Sequence, residues 1–325
     1  MTEAISQRSR ADSLLGALSK VSVVIPVYKA EKSLPILVPR LVATLRGMHR
    51  DFEIILVDDC SPDSSWEVLM RLKAEHGPAL RLAKLLKNSG QHNAILCGLS
   101  LVTGDVIVTM DDDLQNPPEE VPKLVEAVDR GFDLAVGAYD SKKHSGPRNA
   151  GGEVIDWLQR RIFGLPKDFQ LTAFRAFRRI VADNVCQMGG VYPYITSMVF
   201  THATKYTNVG VRHEPRPFGT SNYNLKRSLS LAANLILNYS SYPLYTVAGL
   251  CLFAFLVSAG MGSFVAFRAL IYGSAVPGWA STMVVISFFN ALVLLCLLIF
   301  GIYLSRMNQQ LTRRRVSYTI EELGE

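Results

Sequence analysis

The sequence predicts an α/β domain with a mainly parallel sheet, followed by a C-terminal part that is attached to a membrane. Apolar, β-branched runs alternate with segments of helical periodicity from Val21 to Gly137, a pattern typical of parallel sheets covered by helices on both faces. Most of these runs end in polar residues, so the carboxyl edge of the sheet collects the side chains that carry chemistry. After Leu225 the chain contains long uncharged apolar segments.

The individual elements follow from spacing and from turn residues. The first strand is predicted over residues 21–27, and the helix after it over 31–45, where leucine and valine recur every three or four residues. Further strands are predicted at 52–57, 80–86, from 106 onward, at 133–137 and at 207–213. Further helices are predicted at 64–74, 93–101, 122–129, 153–163 and, rich in arginine, 174–185.

The central strand ends in Asp111, Asp112 and Asp113, with Gln115 close behind, before an Asn-Pro-Pro triplet stops it. Open α/β sheets bind their ligands at this edge. Three adjacent carboxylates repel one another unless a cation lies among them. Oxygen ligands suit Mg²⁺ or Mn²⁺, often shared with substrate phosphates. The alternative interpretation is a solvated acidic turn.

Charge and cysteine content narrow the class of protein further. The net charge of +6 favours acidic partners such as phosphates or anionic lipid, although the basic tail with Arg313–Arg315 contributes to it. The five cysteines show no Cys-x-x-Cys pair, which argues against zinc and for reduced thiols in the cytosol. Residues 1–20 are polar, lack the apolar core of a signal peptide and are expected to form a flexible tail.

The C-terminal part is predicted to be membrane-bound. Residues 225–241 have the pattern of an amphipathic helix at a membrane surface, with an ordinary surface helix as the alternative. The uncharged segments 245–267 and 282–304 are each long enough to cross a hydrocarbon core of roughly 30 Å. The linker between them lacks Lys and Arg, whereas the first domain and the tail 306–325 are basic. Both ends are therefore expected in the cytoplasm.

Several motifs together resemble the family 2 inverting glycosyltransferases with the GT-A fold. They are Val-Val-Ile-Pro-Val-Tyr at 23–28, Val-Asp-Asp at 57–59, Gly-Gln at 90–91 and Asp-Asp-Asp-Leu-Gln-Asn-Pro at 111–117. Arg216 with the Gly-Thr-Ser-Asn-Tyr run after it, and the two apolar segments, narrow the resemblance to polyisoprenyl-phosphate glycosyltransferases. This branch holds dolichol-phosphate mannose synthases and undecaprenyl-phosphate sugar transferases.

The resemblance implies a domain organisation and a set of site residues. We expect a flexible tail (1–20), a Rossmann-like GT-A domain (21–224), an interfacial helix (225–241), two transmembrane helices (242–305) and a cytoplasmic basic tail (306–325). The residues implied in nucleotide-sugar binding are Pro26, Tyr28, Glu31, Asp58, Asp111, Asp112 and Arg216. Those implied in binding the acceptor phosphate are Lys142, Lys143, Arg148, Ser221 and Asn222.

Two further residue roles are implied, each beside a plainer alternative. Asp113 and Gln115 match ligands of Mg²⁺ or Mn²⁺, and Asp113 and Asp168 are the candidate catalytic residues. The alternatives are that Asp168 caps the next helix, that Asp58 and Asp59 form only a turn, and that Lys142, Lys143 and Arg148 form only a basic loop.

The implied activity is transfer of one sugar from a nucleotide sugar, UDP-linked as first expectation, to undecaprenyl phosphate at the cytoplasmic membrane face, with inversion. A homo-oligomer is expected and nucleic acid is not. The alternatives are a transferase acting on a lipid-linked saccharide or glycan, and an inactive nucleotide-binding scaffold. The chain departs from the family pattern at Asn222, where many relatives have Lys, and near Tyr139, where an expected Arg is missing. Because of these two departures, the resemblance does not identify the sugar that is transferred.

Overall fold

The computed structural model describes residues 20–139, 160–161, 166, 169–188, 193–218, 278–312 and 318–324, together with parts of 245–271. The chain divides into two compact units. The first unit comprises Met1–Gly146, Leu165–Asn222 and Arg313–Glu325, and the second comprises Pro147–Gly164 and Tyr223–Thr312.

The first unit is built on one eight-stranded sheet. Its strands are β1 Lys20–Val27, β2 Asp51–Asp58, β3 Leu80–Leu85, β4 Val106–Thr109, β5 Leu134–Tyr139, β6 Arg175–Arg178, β7 Tyr206–Val211 and β8 Ile320–Gly324. Their order across the sheet is β7-β5-β6-β4-β1-β2-β3-β8. All neighbours pair in parallel except where β6 or β8 takes part. The predicted α/β fold with a mainly parallel sheet is confirmed.

Helices connect the parallel strands, as right-handed crossovers require. In the first unit they are α1 Leu34–Gly47, α2 Ser65–His76, α3 Gln91–Leu101, α4 Val121–Asp129, α5 Arg179–Met188 and α6 Ile195–His202, and in the second unit α7 Trp279–Thr312. Helix α1 buries Leu34, Leu37, Leu41 and Leu45 completely or nearly so against the sheet. Strands β1, β2 and β4 are buried on both faces, which explains their continuous apolar runs.

Strand β6 corrects the predicted helix at residues 174–185. Its residues Arg175–Arg178 form an antiparallel strand between β4 and β5, and the helix begins only at Arg179. Arg175, the first residue of β6, is only 2% exposed. Pairing with strands on both sides decides the conformation here, since local propensity is weak compared with a position between two strands.

Strand β8 extends the sheet with residues from the C-terminal tail, which sequence patterns did not predict. It pairs antiparallel with β3. The N–H of Leu86 donates to the carbonyl of Thr319 at 2.9 Å, and Lys84 pairs with Glu321 at 3.3 Å. This short acidic segment has no alternation of apolar and polar residues that would predict a strand. It is extended because it pairs with the free edge of β3.

The predicted membrane elements are not confirmed. In the portions of the chain that the structure describes, no helix has the length and apolar character needed to span a bilayer. The predicted interfacial helix at 225–241 lies outside the described residues, as do residues 1–19 of the predicted N-terminal tail.

A buried carboxylate stabilises the amino-terminal edge of the sheet, on the side opposite the acidic triplet. Glu53 is 3% exposed. It accepts hydrogen bonds from Ser22 Oγ and from the N–H of Thr103, both at 2.6 Å, and lies 3.4 Å from Lys20 Nζ. Burial by itself would raise the pKa of Glu53, but these hydrogen bonds and the charge of Lys20 lower it to about 2.

We expect Glu53→Gln to lower the free energy of unfolding at pH 7 by about 2–3 kcal/mol. Because folding lowers the pKa of Glu53, its stabilisation is complete above the unfolded value of ~4.3 and is lost as the pH falls towards about 2. Thermal unfolding measured from pH 7 to pH 2.5 should therefore show the wild type and the variant converging. Glu126→Gln, in an exposed pair with Arg130, is the control with little effect. An equal deficit at pH 7 and pH 2.5 would contradict this account.

Candidate active site

The loops that follow β1, β2 and β4 meet at the carboxyl edge of the sheet, because these strands are parallel neighbours. Each loop contains a non-glycine residue in the left-handed region: Lys29 with φ 58°, Cys60 with φ 55° and Leu114 with φ 63°. Such a conformation costs roughly 1–2 kcal/mol per residue. It persists where the surrounding structure fixes it, as at binding sites.

The three aspartates after β4 face three different partners. Gln91 Nε2 donates to Asp111 Oδ1 at 2.5 Å. The N–H of Tyr28 donates to Asp112 Oδ2 at 3.0 Å. Asp113 Oδ2 forms an ion pair with Arg216 Nη2 at 2.6 Å. Within the described part of the chain, no three His, Cys, Asp or Glu side chains converge to hold a metal ion.

The carboxylates nevertheless concentrate negative charge. Burial raises the pKa of Asp111 to about 6, with repulsion from Asp113 adding to the rise and attraction by Arg175 and Arg216 opposing it. Burial likewise raises the pKa of Asp112 to about 7, although the N–H of Tyr28 opposes this. A cation arriving at this edge would relieve that repulsion.

The two aspartates at the end of β2 have different environments. Asp58 is fully buried; its Oδ2 accepts from the N–H of Ser61 at 3.2 Å, while its Oδ1 has no hydrogen-bond partner among the described residues. Burial raises the pKa of Asp58. Asp59 accepts from the N–H groups of Ser89 at 2.6 Å and Gly90 at 2.8 Å. Asp59 therefore fixes the loop before α3, whereas Asp58 offers an open acceptor.

The other nucleotide-binding candidates that the structure describes lie at the same edge. Pro26 is in β1, in register with Val57 of β2. Glu31 accepts from the N–H of Ser64 at 3.2 Å, which connects the loops after β1 and β2. Tyr28 is 45% exposed, so its ring is available to a ligand.

The chain after β7 lies against the loop that follows β4, residues 110–117, here called the acidic loop. The N–H of Glu214 donates to the carbonyl of Gln115 at 2.9 Å, and Gln115 Nε2 lies 3.3 Å from His213 Nε2. The ring of His213 stacks on Tyr139 with centroids 4.2 Å apart. The sequence did not predict a contact between His213 and Tyr139, because contacts between residues so distant along the chain leave no local pattern.

The structure does not describe the residues that were predicted to act on the acceptor. Lys142, Lys143, Arg148, Asp168, Ser221 and Asn222 lie outside the described residues. The structure thus brings together the donor-side and metal-side residues and leaves the acceptor-side assignment a prediction.

The carboxyl edge of this sheet belongs to a glycosyltransferase, as the family of the chain shows. The family model "Glycosyl transferase family 2" matches residues 22–188, about half of the chain, and the protein belongs to this family. Its relatives include the undecaprenyl-phosphate 4-deoxy-4-formamido-L-arabinose transferase of Enterobacter sp. (strain 638), 38% identical over 70% of this chain and 70% of the relative. The transferase of the same name from Salmonella paratyphi A is 36% identical over 70% of this chain and 69% of the relative.

A solved structure supports the fold. The glucosyl-3-phosphoglycerate synthase of M. tuberculosis superposes with a TM-score of 0.50 at 19% identity, covering 69% of this chain and 80% of that chain. At this identity the likeness concerns the fold alone, and it confirms the GT-A-like arrangement of the first unit.

Proposed function

We propose that this protein transfers one sugar from a nucleotide sugar to undecaprenyl phosphate, with inversion at the anomeric carbon. The observation that carries the proposal is the ion pair of Arg216 with Asp113 at the carboxyl edge of the sheet. In the proposed complex, Arg216 and a metal ion bound by Asp113 would neutralise the charge of the departing nucleotide diphosphate. The names of the relatives, which are undecaprenyl-phosphate sugar transferases, support the choice of acceptor.

The donor proposed is UDP-linked. The unpartnered Oδ1 of the buried Asp58 suits a base that presents an N–H, such as the imide of uracil, because a buried acceptor without a partner is costly. The exposed ring of Tyr28 would pack on the base, with Pro26 and Glu31 beside it. Asp111 and Asp112 would contact the ribose and the diphosphate.

Asp113 and Gln115 would hold Mg²⁺ or Mn²⁺. Two oxygen ligands from one loop fit a cation that takes few protein ligands and completes its shell with substrate phosphates and water. When bound, the ion supplies electrostatic stabilisation of the leaving diphosphate. Arg216 would move from Asp113 to the diphosphate and share in this neutralisation.

The acceptor would attack through an oxygen of its phosphate. A phosphate monoester has its second pKa near 6, so it is largely ionised at neutral pH and scarcely needs a base. We therefore propose that Asp168 orients the acceptor or nearby cations and is at most a modest general base. Lys142, Lys143, Arg148, Ser221 and Asn222 would bind the acceptor phosphate.

The proposed attachment to the membrane is through residues 242–305 as two spans, with the catalytic unit and both ends in the cytoplasm. Helix α7 exposes large apolar side chains, among them Leu294 (66%), Leu297 (58%) and Leu298 (61%). The pairing of β8 with β3 returns the chain to the first unit after α7, which favours an even number of crossings. Retention in the membrane pellet after alkaline carbonate treatment is expected, and release into the supernatant would contradict it. Self-association stays a prediction.

A transfer assay separates the proposed activity from its alternatives. Membranes containing the protein, Mg²⁺, undecaprenyl phosphate and a panel of labelled UDP-sugars, including UDP-4-deoxy-4-formamido-L-arabinose, should yield a chloroform-soluble product that mild acid cleaves. Label that enters product only with a lipid-linked saccharide would favour the other transferase activity. Binding of UDP without any turnover would favour an inactive scaffold.

A further inference from the structure

Residues 212–216, here called the 212–216 segment, are held against the acidic loop at more than one point. Two of the contacts, made by Glu214 and Arg216, are described above. A third is an ion pair between Arg212 Nε and Glu120 Oε1 at 2.7 Å. This last contact lies away from the carboxylates of the site, so neither of its members needs to touch substrate.

Glu120 is a rigid anchor. It is 2% exposed and ends a 3₁₀ turn, Pro118–Glu120, that leads directly into α4. Its second carboxylate oxygen pairs with Lys123 Nζ at 2.5 Å. Burial by itself would raise the pKa of Glu120, but Lys123 and Arg212 outweigh it and the pKa is lowered. The side chain therefore stays charged, and a buried charge holds its partners firmly.

The arginine side chains of the 212–216 segment are exposed, whereas Glu120 is buried. The side chain of Arg212 is 62% exposed and that of Arg216 is 39% exposed. Residues 212–216 belong to no helix or strand. A long, exposed side chain on a loop samples many rotamers unless its backbone is fixed, so the position of Arg216 depends on what fixes the segment.

We propose that Glu120 is a positioning residue for sugar transfer: by holding Arg212, it places Arg216 beside the donor diphosphate. This inference rests on the proposed function, because it gives Arg216 a diphosphate to bind. Glu120 itself touches neither donor nor acceptor. Its effect passes through the backbone between Arg212 and Arg216, and it reduces the freedom that Arg216 would otherwise lose on binding.

The neighbouring glutamate provides a matched control. Glu119 makes two hydrogen bonds to Arg40, at 3.0 Å to Nε and 2.9 Å to Nη2. That pair is half-exposed and has no contact with the 212–216 segment among the hydrogen bonds of the described residues. Glu119→Gln thus removes a carboxylate–arginine pair of the same chemistry, one residue away. It leaves the hydrogen-bonded pair of Arg212 with Glu120 in place and removes only the longer-range attraction between Glu119 and Arg212.

The test is a comparison of Glu120→Gln, Arg212→Gln, the double variant and Glu119→Gln in the full-length protein. We expect each of the first two to lower kcat/KM for the UDP-sugar, and the affinity for UDP with Mg²⁺ measured by calorimetry, on the order of tenfold. The double variant should be no worse than either single one, because both remove the same interaction. Glu119→Gln should lose far less than either, because it keeps the hydrogen-bonded pair of Arg212 with Glu120.

A second double-mutant cycle tests whether the effect of Glu120 depends on Arg216. In an Arg216→Met background, Glu120→Gln should cause no further loss. The proposal is overturned if Glu120→Gln behaves like Glu119→Gln, or if its loss persists in full without Arg216. If Glu120→Gln fails to fold, the exposed Arg212→Gln decides the same question. A wild-type protein that binds UDP but transfers no sugar would contradict the proposed function instead, while UDP affinities still decide the role of Glu120.

Discussion

Replacing Asp113 by asparagine is expected to reduce sugar transfer about a thousandfold, the effect of losing roughly 4 kcal/mol of transition-state stabilisation. Asp113 is the candidate that combines a metal-ligating carboxylate with direct contact to Arg216. Its Oδ1 also accepts from the N–H of Gln115 at 3.0 Å, so its carboxylate is held in place on both sides. The measurement is the initial rate of label transfer to undecaprenyl phosphate at saturating donor.

Two comparisons make this result specific. Asp183→Asn removes a half-exposed carboxylate paired with Arg179 and should leave the rate nearly unchanged. Asp168→Asn should cost far less than Asp113→Asn, because an ionised phosphate needs little help as a nucleophile. A loss at Asp168 as large as that at Asp113 would mean that proton removal is essential. A melting temperature of Asp113→Asn close to the wild-type value would show that the loss is catalytic.

Replacing Arg216 by methionine is expected to lower kcat/KM for the donor by roughly a hundredfold, the usual cost of one lost charge-stabilising group. The same substitution should not weaken metal binding in the absence of donor. Because Arg216 occupies Asp113 Oδ2, its removal leaves that oxygen free, and Mn²⁺ should bind the donor-free protein at least as tightly as it binds the wild type. Steady-state kinetics and Mn²⁺ titration followed by electron paramagnetic resonance measure the two effects separately.

Arg178→Met is the control for this variant. Arg178 also pairs with an aspartate, Asp133, at 3.4 Å and is similarly exposed, but it lies on β6 away from the acidic loop. It should change neither the kinetics nor the Mn²⁺ affinity. Loss of Mn²⁺ binding in Arg216→Met would indicate that Arg216 supports the metal site rather than competing for it, and unchanged kinetics would remove Arg216 from the donor site.

Much of the sheet was predictable because its central strands β1, β2 and β4 are buried on both faces and therefore read as continuous apolar runs. Strands β1 to β5 and β7 were predicted within a few residues of their observed ends. Strand β6 was not, since the arginines around Phe177 suggest a helix and only pairing with β4 and β5 makes the segment extended. Strand β8 was not predicted because its extended conformation depends on pairing with the free edge of β3.

The sequence by itself determined the class of protein and the edge of the sheet at which the acidic residues lie. A strand that ends in consecutive aspartates before two prolines delivers them to its carboxyl end, and parallel strands must bring their carboxyl ends to one edge. Only the tertiary structure decided how those residues are paired: that the three aspartates diverge, that Asp58 keeps an open acceptor, and that Arg216 meets Asp113. It also brought Arg212 to Glu120. These contacts join residues far apart in the chain, and their partners are chosen by packing and charge once the sheet has formed, which no local pattern encodes.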